Sequence, residues 1–431
     1  MDRALASLAR VSSGWFHLVI DLDAEPDAAA LDAAWEWAGR WHPALRARAL
    51  LEDRRVWDLA PAMEPVMWCT ETLPADGPGP GPAEVEAMAG GGDLDGGPVA
   101  RWSVVRRGGS ARLVLSLHHV IADAASGLEL ADRVRATYVG LLDGRAPSTA
   151  IDGRPRIVED VLERTRLGPM GRAAAVQRHA ARWWGLRPST HPVASDPGVD
   201  GGYAVIDVSR VVVASAEARH ARGWRVSAVL LGLLARAWRR VLIEGSDTRL
   251  GGPDGWQVAS DLRRELAVGG GIGNFSSTEP LTLHDPDASV VDVVDEVNRA
   301  LGGLASTWPG VAIPSAVAST SLPWTTMQTA SQRSIAQVLR LRYTRSFSNV
   351  GPVSPTLADW GPARGWRVRY APAMVDPAWV TVVAQGFGAD TFLTMRTHAS
   401  GISEALASRM EAAMVTEAEE LSPLTSRRSS V

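Results

Sequence analysis

The sequence predicts an α/β fold organised in two domains, and three observations lead to this prediction. A chain of 431 residues exceeds what one hydrophobic core usually organises, so two domains of about 200 residues are expected. Apolar runs of strand length alternate with longer stretches of helical spacing. The residues over 112–119 form such a strand, and helical spacing resumes from Gly127. Polar side chains therefore stand at a strand-to-helix junction, where ligands often bind.

In the first half of the chain, a strand over 15–23 precedes a helix that opens at Pro26 with Asp27 as its cap. That helix is expected to end at His42, because the residue before a proline is biased away from helical backbone. The other elements predicted here are a strand over 45–51, a short helix over 83–89, strands over 99–106 and 112–119, a helix that ends at Leu142 before Asp143-Gly144, and a helix over 156–184.

A connector over 187–202 is rich in proline and glycine, and it predicts a domain boundary that divides the chain into 1–190 and 191–431. In the second half, Ser215 is predicted to cap a short helix. The predicted strands are 203–213, 258–262, 280–283, 343–350, 366–370, 380–387 and 391–398, and the predicted helices are 215–222, 226–241, 290–301, 311–341 and 404–421.

Composition excludes several classes of function. Charged residues make up 21% of the chain and the net charge is -4, so no global field favours nucleic acid. The single cysteine, Cys69, cannot form an internal disulfide, and no Cys/His cluster has the spacing of a metal site. Every cationic side chain is arginine, which excludes Schiff-base lysine chemistry. Together with abundant alanine and glycine, the arginines indicate a G- and C-rich coding sequence and a bacterial source.

We expect neither a membrane-spanning segment nor an export signal in this sequence. Its longest apolar run, Ala228 to Ala235, is far shorter than a membrane span. The N-terminus lacks a long apolar segment behind a basic region. We therefore expect a cytoplasmic protein without an integral membrane segment.

The candidate chemistry lies in the stretch from His118 to Asp123. Because side chains alternate along a strand, His119 shares a face with Leu117 and His118 points the other way. A histidine with a pKa near neutrality can accept a proton from a hydroxyl or amine that attacks a carbonyl. Asp123 is placed to brace the turn that orients the imidazole. The alternative is that both histidines are core residues and Asp123 is a helix cap.

Two other features are weaker candidates for a site. The Gly-rich stretch over 269–273 lacks the Lys-Ser or Lys-Thr of a phosphate loop, which favours a flexible loop. The basic run formed by Arg333, Arg340, Arg342 and Arg345 is typical of a solvated face. It could instead contact an acidic carrier protein or the phosphates of coenzyme A.

The stretch from His118 to Ala124 resembles the HHxxxDG motif of the chloramphenicol-acetyltransferase-like superfamily, which includes nonribosomal condensation domains. Further stretches resemble the same family in the same order along the chain: 31–46, which ends in His-Pro-Ala-Leu-Arg, 93–101, 227–238, Asp261-Leu262-Arg263 with Gly273-Asn274-Phe275, and 347–352. None of these further stretches is specific to the family by itself, but their shared order along the chain is. The family glycine that follows the aspartate is Ala124 here, which adds one methyl group.

The resemblance implies two chloramphenicol-acetyltransferase-like α/β sandwiches that meet in a V with a tunnel between them. His119 would be the general base, supported by His118, Ala124 and Gly127. Asp123 would form a structural ion pair with Arg263. The tunnel-lining residues that the resemblance implies are Asn274, Ser348, Asn349 and Gly351.

The resemblance also implies the reactants. The donor would be an acyl-CoA or a phosphopantetheine-linked acyl thioester, used as a co-substrate, with no bound cofactor. The acceptor would be a small molecule with a hydroxyl or amine, and an acyl or peptidyl carrier protein is a possible partner. The function expected first is an acyltransferase of bacterial secondary or lipid metabolism. The alternatives are a free-standing condensation enzyme that forms an amide between carrier-bound substrates, and a catalytically silent docking module of the same fold.

Overall fold

A computed structural model describes most of the chain. The described residues are 14–49, 57–71, 82–89, 97–147, 203–244, 254–261, 271–305, 345–373, 380–397 and 404–421, together with Arg263 and scattered residues between 168 and 181. The predicted helices over 156–184 and 311–341 lie wholly or mostly outside the described residues, as does the predicted boundary near residue 190.

Helices and strands alternate along the described residues. The strands are β1 (Trp15–Leu22), β2 (Ala47–Ala49), β3 (Trp57–Leu59), β4 (Met67–Thr70), β5 (Ala100–Arg107), β6 (Ser110–His118), β7 (Tyr203–Asp207), β8 (Asp254–Asp261), β9 (Ser276–Leu283), β10 (Arg345–Val353), β11 (Asp359–Trp360), β12 (Ala363–Ala371), β13 (Val380–Phe387) and β14 (Asp390–Thr397). The α-helices are α1 (Ala28–Trp41), α2 (Pro82–Ala89), α3 (Ala124–Leu142), α4 (Ser209–Ala214), α5 (Ala216–Arg222), α6 (Val226–Glu244), α7 (Val290–Ala305) and α8 (Glu404–Glu419).

The chain divides into two compact units, and neither is continuous in sequence. Unit 1 comprises Met1–Arg166, Leu266–Phe275 and Pro352–Val375. Unit 2 comprises Leu167–Glu265, Ser276–Gly351 and Asp376–Val431. The two predicted halves, 1–190 and 191–431, were continuous. Two later segments, 266–275 and 352–375, join unit 1, and the boundary predicted between the halves stays a prediction.

Unit 1 is built on a six-stranded sheet in the order β11-β12-β1-β6-β5-β4. Its central pair, β1 and β6, runs antiparallel from Trp15 opposite His118 to Leu22 opposite Ala111. All eight residues of β1 are buried, as expected for a central strand with both faces covered. Helices α1 and α3 pack against each other, and α3 contacts β1 and β6. The end of β6 is therefore fixed by strands on both sides and by a helix.

Unit 2 contains a second six-stranded sheet, in the order β7-β14-β13-β10-β8-β9. Helix α6 packs between α7 and α8, and its apolar spacing explains this, because Leu230, Leu233 and Leu234 are all buried in the core. None of the helices in the described part of the chain is long and apolar enough to cross a membrane.

Most predicted elements agree with the structure to within a few residues. Helix α1 begins after Asp27, whose carboxylate accepts a hydrogen bond from the backbone N–H of Ala30, and it ends at His42 as the following proline predicted. Gly108 and Gly109 have positive φ and join β5 to β6. Gly144, also at positive φ, follows the end of α3. Local capping and turn chemistry decided these boundaries.

Three local predictions are wrong. The strand expected over 45–51 begins later, because Pro43–Arg46 form a 3-10 turn before β2. The strand expected over 203–213 ends at Asp207, whose carboxylate accepts hydrogen bonds from the backbone and hydroxyl of Ser209 and so begins helix α4. Ser215 does not cap the next helix, since its hydroxyl donates back to the carbonyl of Val211.

The prediction of a solvated basic face is also wrong at Arg345, the one member of the basic run that the structure describes. Arg345 is buried in β10 and forms an ion pair with the buried Asp254. It therefore stabilises the second sheet and does not belong to a solvated basic face. Arg333, Arg340 and Arg342 lie outside the described residues.

Candidate active site

The candidate site is the turn between β6 and α3, from His119 to Asp123. The backbone N–H of His118 donates to the carbonyl of Val99 at 2.9 Å, and that of His119 donates to the carbonyl of Gly14 at 2.8 Å. The N–H of Ile121 then donates to the carbonyl of His118 at 3.0 Å and closes the turn. The two histidines are thus held by strand pairing on one side and by a tight turn on the other.

His118 is a packed, neutral side chain. Its Nδ1 accepts a hydrogen bond from the N–H of Val120 at 3.1 Å, so the ring proton sits on Nε2. The ring meets Trp15 edge-on, with 5.5 Å between centroids. Burial, and to a lesser extent electrostatic repulsion from His119, lower the pKa of His118 to about 3. A β-carbon at Gly14 would lie 2.6 Å from Nε2, so this packing needs glycine there.

His119 is half-buried, and its ring proton lies on a different nitrogen from the ring proton of His118. Its Nδ1 lies 3.2 Å from the carbonyl oxygen of Ala122. A carbonyl only accepts hydrogen bonds, so Nδ1 carries the proton and Nε2 presents a lone pair. Among the described residues Nε2 has no hydrogen-bond partner. One face of the ring packs on Phe16, with 4.7 Å between centroids.

The electrostatics of His119 favour the neutral imidazole. Burial lowers its pKa from the ordinary value, while the charge of Asp123 and the hydrogen bond to Ala122 act in the opposite direction. The ring is therefore neutral at pH 7, with its basic nitrogen available. The negative charge of Asp123 is close enough to favour an imidazolium once a proton arrives.

Asp123 is 3% exposed and uses both carboxylate oxygens to hold backbone. Oδ1 accepts from the N–H of Ser126 at 2.9 Å and so caps α3. Oδ2 accepts from the N–H of Phe275 at 2.7 Å. The side chain is thus both the helix cap and the brace that the sequence offered as alternatives. Arg263 lies 3.2 Å from Asp261 within unit 2, and its pairing with Asp123 stays a prediction.

The segment Gly271–Phe275, named here the clasp, belongs to unit 1 and lies against the start of α3. The hydroxyl of Ser126 donates to the carbonyl of Gly273 at 2.6 Å and lies 3.0 Å from its N–H. The N–H of Gly271 donates to the carboxylate of Glu129 at 2.6 Å. The sequence predicted a flexible Gly-rich loop here. Its described end, Gly271 to Gly273, has no regular secondary structure, and side chains of α3 bind its backbone.

Asn274 completes the clasp. Its Nδ2 donates to the backbone carbonyl of His119 at 2.6 Å. The resemblance assigned Asn274 to a tunnel wall, and that role stays a prediction. The structure places the side chain amide directly on the backbone of the candidate base.

Two aromatic residues that sequence reasoning missed complete the site. The hydroxyl of Tyr370 donates to the carbonyl of Ala124, in the first turn of α3. A β-carbon at Gly127 would lie 2.8 Å from that hydroxyl and 3.1 Å from Cε2 of Phe16. Glycine at 127 therefore allows Phe16 and Tyr370 to pack beneath the turn. Ala124 has helical backbone, so its methyl group is compatible with the local conformation.

The remaining predicted site residues lie on β10. Nδ2 of Asn349 donates to the hydroxyl of Ser227 at 2.8 Å, and its Oδ1 accepts from the N–H of Gly351 at 2.9 Å. Gly351 has a φ of 80°, which favours glycine. Ser348 is half-buried on the same strand. Their role as tunnel-lining residues stays a prediction.

Comparison with known proteins identifies the fold. No protein-family model matches the chain, and a search of curated proteins found no match. Among solved structures, the first condensation domain of the CDA synthetase is 18% identical with a TM-score of 0.67, and the match covers 97% of this chain and 94% of that one. The chain has the fold of the condensation-domain superfamily.

Other structures with the condensation-domain fold have different roles in their names. The epimerization domain from the third module of tyrocidine synthetase B is 13% identical, with a TM-score of 0.64 and coverage of 97% and 96%. The X-domain in its complex with OxyB from teicoplanin biosynthesis is 16% identical, with a TM-score of 0.61 and coverage of 98% and 92%. At these identities the likeness establishes the fold, and function has to be argued from the site.

Proposed function

We propose that this protein is an acyltransferase that moves an acyl group from a thioester to a hydroxyl or amine, with His119 as general base. The observation that carries the proposal is the state of the His119 ring. It is neutral, its Nδ1 proton is committed to the carbonyl of Ala122, and Nε2 has no partner among the described residues. A general base needs this combination of protonation state and access.

The reaction follows from that geometry. The acceptor donates its O–H or N–H to Nε2 of His119 and attacks the thioester carbonyl as the proton moves to the ring. The tetrahedral intermediate collapses, the new ester or amide bond is kept, and the C–S bond breaks. The departing sulfur then takes the proton from Nε2 as a thiol, which restores the neutral ring. Asp123 stabilises the transient imidazolium through its charge.

The donor in this proposal is an acyl-CoA or a phosphopantetheine-linked acyl group, consumed as a co-substrate. The acceptor is a small molecule, and an acyl or peptidyl carrier protein is the partner expected if the donor is carrier-bound. The V-shaped arrangement with its tunnel and the cytoplasmic location belong to the same proposal.

A free-standing condensation enzyme is the second candidate, since it would use the same base on a carrier-bound amine. The fold of the CDA condensation domain supports it equally. A silent docking module is less well supported, because docking has no need for a histidine held in one tautomer. Binding of a carrier protein that survives loss of His119, in a chain with no turnover, would favour docking.

The test uses the full chain with acetyl-, octanoyl- and palmitoyl-CoA and with an acylated carrier protein, each against a panel of alcohols and amines. Thiol release and product mass are recorded. We expect His119→Ala to lower turnover by about 10²–10⁴-fold, the usual contribution of a general base. His284→Ala is the matched control, because that ring is exposed on unit 2 and contacts Glu296. Equal turnover in His119→Ala and the wild type would contradict the proposal.

A further inference from the structure

The backbone of His119 is held by a side chain that lies far away in sequence. We propose that Asn274 is a positioning residue that sets the tautomer and orientation of His119. This inference rests on the proposed function, because the orientation matters for turnover only if His119 is the base. It assigns Asn274 a role through His119, and no contact with substrate is required.

Three hydrogen bonds fix His119. Its backbone N–H donates to the carbonyl of Gly14 at 2.8 Å, its backbone carbonyl accepts from Nδ2 of Asn274 at 2.6 Å, and its ring Nδ1 donates to the carbonyl of Ala122 at 3.2 Å. The first bond continues the strand pairing and the third closes a local turn. Asn274 supplies the single side-chain donor of the three.

The carbonyl that Asn274 holds begins the turn that ends at Ala122. Rotation of the peptide between His119 and Val120 would move the rest of that turn relative to the ring. Because the bond from Nδ1 to Ala122 is already long for a hydrogen bond, a small movement would break it. Asn274 therefore controls indirectly which ring nitrogen carries the proton, since that choice is set by the hydrogen bond the ring makes.

Asn274 is itself held from both sides by the start of α3. On one side, the backbone of Gly273 is bound by the hydroxyl of Ser126. On the other, the N–H of Phe275 donates to Asp123. A side chain between two anchored peptides has little freedom, which is the condition for precise positioning.

A third anchor stabilises the beginning of the clasp. The N–H of Gly271 donates to Glu129, whose carboxylate also accepts from Arg133 at 2.9 Å. The contacts of the clasp described above all fall between residues 119 and 129. These contacts join the clasp to the candidate base and to the helix that follows it.

Two other roles for Asn274 make different predictions. If it served only stability, its loss would lower the melting temperature and leave the state of the His119 ring unchanged. If it contacted substrate directly, its loss would raise KM and leave the ring unchanged. A positioning role changes the ring in the absence of any substrate.

The experiment measures the ring nitrogens directly. The full chain is labelled with ¹⁵N-histidine, and long-range proton–nitrogen spectra are recorded across a pH titration, with His119→Gln used to assign the signals. The variants are Asn274→Ala and Asn274→Asp, which keeps the shape of the side chain and loses its donor. Asn298→Ala is the control, because it removes an asparagine that binds backbone in unit 2.

We expect wild type and Asn298→Ala to show one neutral His119 tautomer with the proton on Nδ1. Both Asn274 variants should show a mixture of tautomers. In Asn274→Ala the His119 pKa should fall further, because the hydrogen bond to Ala122 that raises it is weakened, whereas the negative charge introduced in Asn274→Asp acts on the pKa in the opposite direction. With a thioester that the wild type uses as a donor, kcat should fall about 10-fold at unchanged KM, because a misplaced catalytic group slows the reaction without weakening substrate binding.

An unchanged tautomer in folded Asn274→Asp would overturn the inference, even if its melting temperature falls. If Asn274→Ala does not fold, Asn274→Asp and Ser126→Ala, which releases Gly273, carry the same test. A wild-type chain that shows the Nδ1 tautomer yet transfers no acyl group would contradict the proposed function alone. The tautomers of the variants would still decide the positioning role.

Discussion

Strands β1 and β6 carry buried polar side chains at both ends, and the two ends satisfy them in different ways. At one end Trp15 lies opposite His118, next to the histidine turn. Six residues further along β1, about 20 Å away at strand spacing, Asp21 lies opposite Arg112. The first end holds neutral imidazoles, and the second holds full charges.

At the charged end every ionic side chain contacts an opposite charge. Arg112 contacts both Asp21 and Glu84, and Arg369 donates to Asp21 at 2.8 Å. Arg107 joins Glu84 to Glu71, so that three arginines face three carboxylates. All six side chains are buried. Such pairing of opposite charges is what their burial requires, and it gives this end a structural role.

At the histidine end, Nδ1 of each histidine and both oxygens of the Asp123 carboxylate have partners, whereas Nε2 of His119 has none in the described part of the chain. A half-buried polar group left in this condition beside a tightly held turn is typical of a functional site. The comparison therefore separates a stabilising polar cluster from a reactive one within a single sheet.

The largest expected effect on stability lies at the charged end. Arg112→Met keeps the side-chain volume but leaves Asp21 and Glu84 without a shared cation, so we expect a loss of about 3–5 kcal/mol in the free energy of unfolding. Chemical denaturation measures it. Arg145→Met is the control, because Arg145 pairs with Asp143 on the surface and should cost less than about 1 kcal/mol. Equal losses in the two variants would contradict the assignment.

A smaller effect is expected beneath the histidine turn. In Gly127→Ala the new methyl group would meet the hydroxyl of Tyr370 and the ring of Phe16, and overpacking of this kind costs about 1–3 kcal/mol. Turnover should fall as well, because Phe16 packs on His119. Gly303→Ala is the control, since its β-carbon would meet nothing within 4 Å. A Gly127→Ala variant with wild-type stability would show that the packing is looser than described.

The third effect depends on pH. The folded-state pKa of His118 is about 3, whereas that of an unfolded histidine is about 6.5. Between these values the unfolded chain binds the extra proton, so acid favours unfolding and His118 costs stability as the pH falls below about 6.5, by up to about 1.4 kcal/mol per pH unit. His118→Asn should remove this contribution. The free energies of unfolding of variant and wild type, measured by chemical denaturation from pH 7 to pH 4, should therefore converge as the pH falls. Parallel pH dependences would contradict the lowered pKa of His118.

Much of the fold follows from local sequence signals. Apolar runs of strand length located β5 and β6, the Asp27 cap and Pro43 bounded α1, and the His-His-x-x-x-Asp spacing located the turn. Those signals act over a few residues, which is why they can be read from one chain. The helix over Ser209–Ala214 was not predicted by these signals, because its run of valines favours a strand. The hydrogen bonds from Ser209 to the carboxylate of Asp207 end the strand there.

The parts of the site that escaped prediction are long-range contacts. Phe275 binds Asp123 across 152 residues and Tyr370 binds Ala124 across 246. The resemblance singled out Asn274 as a tunnel-lining residue, but neither its contact with His119 nor the role of Tyr370 has a local signature in the sequence. Only the topology brings them to the turn, because residues 266–275 and 352–375 belong to unit 1. Ser126 could have been found, since it lies three residues after the cap Asp123.

The central claim is that His119 is neutral at pH 7 with its proton on Nδ1 and a basic Nε2. The most direct measurement is the pair of ring ¹⁵N signals of His119 in the unsubstituted full chain, assigned by their loss in His119→Gln. The account predicts a protonated Nδ1 and an unprotonated Nε2 at pH 7, with a pKa below the ordinary value of about 6.5. An imidazolium at pH 7, or a neutral ring with its proton on Nε2, would contradict it.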